Sequence, residues 1–256
     1  MVNLIPMAGA GSRFTQEGYK DPKPLIQVSG KPMIVRACSS LPEASRWIFV
    51  CRGEHINQYG VDRVLQEYYP GCDIIRVDYL TEGQASTCML AKDLLDPDQP
   101  LTIGACDNGM TWDREAFKRV WQDPGVDALI WTFRHNATVK RNPQMYGWVE
   151  TGADQTARRV SCKKPLSDSP DRDHAIIGAF TFKSAAIFTE ATQTMMEKNR
   201  RINGEFYVDV VMDEVIRAGY RVKVFEVDQY ICWGTPNDLR TYEYWETYFG
   251  KKQSAG

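Results

Sequence analysis

Short apolar runs alternate along this chain with longer stretches in which apolar residues recur every three or four positions. The short runs predict strands at Asn3–Met7, Trp47–Cys51, Asp73–Val77, Leu101–Ala105, Ala128–Phe133, Gly147–Glu150, Ile176–Phe182 and Val222–Val227. The longer ones predict helices at Pro32–Ser40, Asn57–Tyr69, Gly83–Leu95, Arg114–Gln122, Ser184–Asn199, Phe206–Ala218 and Pro236–Phe249. Pro32 and Pro236 suit a first helical turn, where a missing N–H costs nothing. Gly219 suits the stop between a helix and the next strand. Strand and helix therefore alternate through the first half, the pattern of a mostly parallel sheet with helices on both faces.

From 136 to 201 the rhythm changes. Tyr146–Glu150, a turn through Gly152-Ala153-Asp154, and Ala157–Lys163 read as a β-hairpin. The expected fold is α/β: a three-layer, Rossmann-like, mixed and mostly parallel sheet with a small antiparallel insertion at 136–201. Residues 1–250 read as one domain and 251–256 as a solvated tail.

Composition narrows the class. With 256 residues, 25% of them charged and a net charge of −2, the chain can bury a large core and has no basic footprint for nucleic acid. Its seven cysteines are odd in number and never spaced CxxC, which argues against a disulfide framework or a structural zinc site. His55, His135 and His174 form no ligand spacing, and Trp112, Trp121, Trp131, Trp148, Trp233 and Trp245 read as core. No run is long enough to span a membrane and no secretory signal is expected, so a cytoplasmic protein follows. Self-association is allowed by the sequence but not specified.

Local chemistry concentrates in a few places. Gly9-Ala10-Gly11-Ser12-Arg13 follows the first strand, so it sits at a carboxyl end, where open α/β sheets bind ligands. Its glycines permit close backbone approach to a phosphate, and Arg13 adds a permanent charge; the bland alternative is a structural turn. It is neither a Walker A loop nor GxGxxG. Lys23 stands between Pro22 and Pro24, which predicts a stiff, extended segment aiming its ammonium. Asp107 ends the run Leu101–Cys106, where a carboxylate can hold Mg²⁺ or simply cap the next segment.

Met7–Phe14, Pro22-Lys23-Pro24-Leu25-Ile26 and Gly30–Ile34 closely resemble the signature of the sugar-phosphate nucleotidyltransferases, in a branch often encoded with surface-polysaccharide genes. The resemblance continues in order at Leu80–Ala85, Cys106-Asp107-Asn108, Lys164-Pro165, Ile177–Phe180, Asn203–Val208 and Gly234–Leu239. It implies the GT-A-like fold of that family and transfer of an NMP from an NTP to a phosphorylated sugar, polyol or related small molecule, with Mg²⁺ as cofactor. Arg13, Lys23 and Asp107 are then catalytic. Met7, Ala8, Gly9, Ala10, Gly11, Ser12, Glu82, Gly83, Gln84 and Cys106 are implied for the nucleotide, and Gly147, Lys163, Lys164, Gly178 and Glu205 for the acceptor, bound by the insertion.

Two departures matter. Cys232-Trp233-Gly234-Thr235 puts cysteine where many relatives carry a metal-binding aspartate, and a thiol is a poor Mg²⁺ ligand. Glu205, Asp209 and Asp213 would share a helix face at i, i+4, i+8. Asp209 with Asp107 is the expected metal pair, Glu205 next and Asp228 behind it, with Asp213 structural. Lys163 replaces the glutamate that meets sugar hydroxyls in relatives, so with Lys164 it suits a strongly anionic acceptor; CTP is the weakly preferred donor. A glycosyltransferase using a nucleotide sugar and an inactive nucleotide-binding module are the competing readings. The first usually shows Asp-x-Asp, whereas Asp107-Asn108-Gly109 has a single aspartate.

Overall fold

The apolar run that opens the chain forms a strand buried on both faces, and the sheet is assembled around it. The structure, a computed structural model, describes residues 1–9 and 11–253; Ala10 and the end of the expected tail, 254–256, lie outside the described residues. The first half contains β1 (Val2–Met7), α1 (Ser12–Gln16), β2 (Gln27–Val28), β3 (Lys31–Pro32), α2 (Met33–Cys38), β4 (Arg46–Arg52), α3 (Gly53–Tyr59), α4 (Val61–Tyr68), β5 (Asp73–Val77), α5 (Gln84–Met89), β6 (Leu101–Ile103), β7 (Asn108–Thr111), α6 (Arg114–Gln122) and β8 (Ala128–Phe133). The second contains β9 (Gly147–Thr151), β10 (Ala157–Cys162), β11 (His174–Phe182), α7 (Ala185–Glu197), α8 (Val208–Arg217), β12 (Val222–Glu226), β13 (Gln229–Cys232) and α9 (Pro236–Gln253).

Strands β5, β4, β1 and β6 lie side by side and parallel. Next to β6 comes β11, running the other way, and beyond it β8 and β12, parallel to each other. Only β11 and β10 run against the other strands of this nine-stranded sheet. Alternation along β1 makes the three layers. Val2 and Leu4 pack with α5, α7 and α8, while Ile5 and Met7 pack with α2 and α4 on the opposite face.

β11 is a fork. One edge pairs with β8 along its length, whereas the other pairs with β9 at His174–Ala175 and with β6 at Phe180–Phe182. Between those ends the register against β8 shifts, and Gly178 sits in the shift at φ 93°, a left-handed value favouring glycine. The expected antiparallel hairpin is β9–β10, attached at the near end of this fork.

All the expected strands form. The helix expected at 57–69 is instead α3 and α4, broken at Gly60 (φ 64°), and the one at 83–95 stops at Met89 before a 3-10 turn, Lys92–Leu94. Lys23 is not extended: Lys23–Leu25 is a 3-10 turn, which tolerates Pro24 because its first N–H groups need no partner. Residues 251–253 continue α9 rather than forming a tail. Trp131 and Trp148 are core as expected, but Trp245 is 49% exposed on α9. The short pairs β2–β3 and β7–β13, and the helix α1, carry too few residues for periodicity to reveal them.

Candidate active site

Because β1, β5 and β6 are parallel, the segments that follow them leave the sheet at one end: Ala8-Gly9, Leu80–Gln84 and Ala105–Asp107. The chain steps outward from β1 through β4 to β5, then returns to β6 on the other side of β1. The crevice at such a reversal is where open α/β sheets take ligands.

The antiparallel pair β7–β13 completes the crevice. It sets Cys232 opposite Asn108, and the Trp233 N–H donates to the Asp107 carbonyl at 2.9 Å. A β-carbon on Gly109 would lie 2.7 Å from the Trp233 ring, so glycine is what lets the two strands close. Lys23 reaches this point from its 3-10 turn. Its ammonium donates to Asp107 Oδ2 at 2.5 Å and to the Gly234 carbonyl at 3.2 Å. Burial would lower the Lys23 pKa, but the adjacent Asp107 carboxylate more than offsets this and holds it above its ordinary value. Lys23 is therefore a fixed cation.

Three recesses lie along the crevice. One is lined by Gly11, Ser12, Arg13, Phe14, Lys23 and Gly234. A central cavity shares Arg13 and Gly234 with it and extends past Asp107 to Gly147, Lys163, Gly178, Tyr207 and Asp209. A side recess shares Gln84 with the central cavity and is walled by Pro6, Ala8, Gly9, Leu80–Gln84, Gly204 and Glu205. The Gln84 side chain makes no hydrogen bond among the described residues.

Most residues singled out in the sequence thus converge, with exceptions. Met7 is 3% exposed and belongs to the core beneath the loop. Cys106 packs against the same core and lines none of these recesses; burial pushes its thiol up to about 12. Lys164 is exposed outside the cavity, its carbonyl accepting from Ser161. Glu205 is not on a helix with Asp209 and Asp213, because α8 starts at Val208 and Glu205 closes a tight hairpin before it; it lines the side recess, not the central cavity. Asp228 is exposed and lines none of the three recesses. Asp213 is structural: buried, it binds Arg200, Arg217 and the Val160 N–H, and these partners hold its carboxyl below the usual range despite the opposing effect of burial.

Asp209 forms the floor of the central cavity. Burial raises its pKa, with the nearby Lys163 ammonium and Cys162 thiol opposing the shift. Lys163, in the left-handed region at φ 61°, donates to the Met145 carbonyl at 2.6 Å and lies 5.2 Å from the Tyr207 ring centre. Cys232 lines the same cavity, its thiol pushed up to about 12 by burial. Asp238, overlooked in the sequence, also lines it and accepts from the Thr235 hydroxyl at 2.6 Å. The signal was present as Thr235-Pro236-Asn237-Asp238, the spacing of a helix-capping pair. Among the described residues no cluster of three or more His, Cys, Asp or Glu side chains forms a metal cage.

No protein-family model matches the sequence, and no curated protein matches it. Solved structures do match its fold. A nucleoside-diphosphate-sugar pyrophosphorylase from Vibrio cholerae RC9 superposes with a TM-score of 0.75 at 20% identity, over 94% of this chain and 99% of that one. The inositol-1-phosphate CTP transferase from T. maritima gives 0.73 at 14% identity, over 94% and 93%. A UDP-glucose pyrophosphorylase complexed with UDP-glucose gives 0.73 at 15%, over 98% of each chain. The chain has the fold of these nucleotidyltransferases across nearly its whole length.

Proposed function

We propose that this chain is a nucleotidyltransferase that joins an NMP from an NTP to a phosphorylated small acceptor and releases pyrophosphate. The observation that carries it is the half-buried Lys23, paired with Asp107 where the recess of the glycine loop adjoins the central cavity. The fold likeness to pyrophosphorylases and a CTP transferase supports the same reading. An acceptor phosphate oxygen attacks the α-phosphorus in line, the bond from that phosphorus to the bridging oxygen breaks, and pyrophosphate leaves with the electron pair. No protein nucleophile is required, so the chain's work is to hold two polyanions together and neutralise them.

Gly9, Gly11 and Ser12 offer backbone N–H groups and Arg13 its guanidinium to the triphosphate. Lys23 supplies a charge that needs no rearrangement as the transition state forms. Each cation–phosphate contact at ~5 Å is worth roughly 3 kcal/mol at an effective dielectric near 20. Asp107, with Asp209 as second carboxylate of the cavity, would hold Mg²⁺, which when bound neutralises phosphate charge. Gln84 and the backbone at Glu82–Gly83 face the nucleoside in the side recess, with Glu205 on the opposite wall. The acceptor lies over Gly147, Lys163 and Gly178. We place the reaction in the cytoplasm, with CTP the first donor to try.

The test is pyrophosphate release from the four NTPs and dTTP against sugar, polyol and amino-acid phosphates. Release with one donor–acceptor pair is expected. Silence across the panel, or sugar transfer from a nucleotide sugar without pyrophosphate, overturns the reading.

A further inference from the structure

The side recess has two walls from distant parts of the chain, and one arginine ties them. The far wall is a hairpin in which Ile202 and Glu205 exchange both backbone hydrogen bonds, each 3.0 Å. Asn203 (φ 51°) and Gly204 (φ 83°) form its turn, the two left-handed residues of a type I′ connection. The near wall is Leu80–Gln84. Arg201 directs its Nε to Asn199 Oδ1 (2.7 Å), Nη1 to the Gly204 carbonyl (3.1 Å) and Nη2 to Glu82 Oε1 (2.8 Å). Its guanidinium carbon lies 3.9 Å from the Phe206 ring centre. Besides this, two backbone bonds join the walls, from Phe206 N–H to the Glu82 carbonyl (2.8 Å) and from Ala85 N–H to the Phe206 carbonyl (3.0 Å).

We propose that Arg201 is the positioning residue of the nucleoside recess: by holding Glu82 and Gly204 in one planar fork it sets the separation of the two walls, and so the affinity for the nucleoside part of the NTP. This rests on the NTP-site reading above. An exposed Arg–carboxylate pair contributes little stability, and the Glu82 side chain is 65% exposed. The consequence of the contact is therefore geometric. A lysine cannot reproduce three directed donors at fixed angles. Arg201 lines none of the three recesses, so removing it takes no group away from the ligand.

The test compares Arg201→Met, Arg201→Lys and Glu82→Gln with the unaltered protein. NTP and inorganic tripolyphosphate binding are measured by calorimetry, and KM and kcat by pyrophosphate release. We expect the KM for NTP to rise about tenfold or more in Arg201→Met and the affinity for NTP to fall in parallel, since that corresponds to only ~1.4 kcal/mol of lost alignment. Tripolyphosphate affinity and kcat should change less than about twofold. Arg201→Lys should recover only part of the loss, and Glu82→Gln, which leaves the arginine's other contacts in place, should show a smaller shift of the same kind. Unchanged NTP affinity in Arg201→Met, or an equal loss of tripolyphosphate binding, overturns the proposal. If the unaltered protein binds tripolyphosphate but no NTP, the NTP-site reading fails and this proposal with it.

Discussion

Gly147→Ala offers a strict test of the central cavity, because the structure says where the added carbon would go. A β-carbon there would lie 2.3 Å from Asp209 Oδ2, 2.8 Å from its Cγ and 2.9 Å from Ile176 Cδ1. Each is well short of the ~3.5 Å optimum for non-bonded heavy atoms. Asp209 is 9% exposed, so its carboxylate cannot simply swing into water; it must shift within a buried setting. Overpacking costs ~1–3 kcal/mol and a disturbed buried polar setting ~1–3 more, about 2–6 together. At ~2–4 °C per kcal/mol for a chain of this size, Tm should fall by roughly 4–24 °C in thermal unfolding without ligand. The KM for the acceptor should rise, since Gly147 lines the central cavity, and kcat should fall as Asp209 is moved from its place as second carboxylate for Mg²⁺. The double variant with Asp209→Ala should regain at least ~1 kcal/mol of the loss by making room. A Tm within about one degree of the unaltered protein, or no coupling in the double variant, would refute this picture of the floor.

Three further outcomes follow from the same geometry. Gly9→Ala meets nothing within 4 Å among the described residues and needs no left-handed backbone, so Tm should hold while the KM for NTP rises; an unchanged KM would mean that no ligand approaches that backbone. Lys23→Ala should lower kcat by ~10²–10³ in the pyrophosphate assay, and near-normal turnover would remove Lys23 from the chemistry. His174, 5% exposed and 2.9 Å from the Thr132 hydroxyl, has its pKa lowered chiefly by burial, so the fold prefers it neutral. Its contribution is present above its unfolded pKa of about 6.5 and lost as pH falls through the lower folded value. His174→Gln should therefore flatten part of the fall in Tm between pH 7.5 and 5.5; the remainder includes His55, shifted in the same direction.

What could be read in the sequence was whatever repeats over a whole element. Leu4 and Ile5 declare a strand buried on both faces, and Ala128–Phe133 does the same, with bounds identical to those observed. The lysine between two prolines does reach the crevice, but from a 3-10 turn rather than the extended segment the prolines predict. Single residues that break a pattern were harder to see. Gly60 interrupts a helical stripe without altering its spacing, and Tyr207 delays α8 so that Glu205 falls on another wall. The β7–β13 pair joins segments more than a hundred residues apart, and its four-residue strands carry no periodicity of their own. The Asn203-Gly204 pair was a turn signal in plain view. It marks a I′ hairpin wherever two residues can pair across it, and here they do.

The fork in β11 also bears on how such a molecule can diversify. The parallel half, which the proposed function gives to the triphosphate, and the β9–β10 hairpin, which it gives to the acceptor, attach to opposite ends of that strand and share no strand pairing of their own among the described residues. Substitutions in the hairpin can therefore accumulate without shifting the register of β1 or β6. The seam is therefore the place where a laboratory redesign can graft a different hairpin while leaving the parallel half as it is.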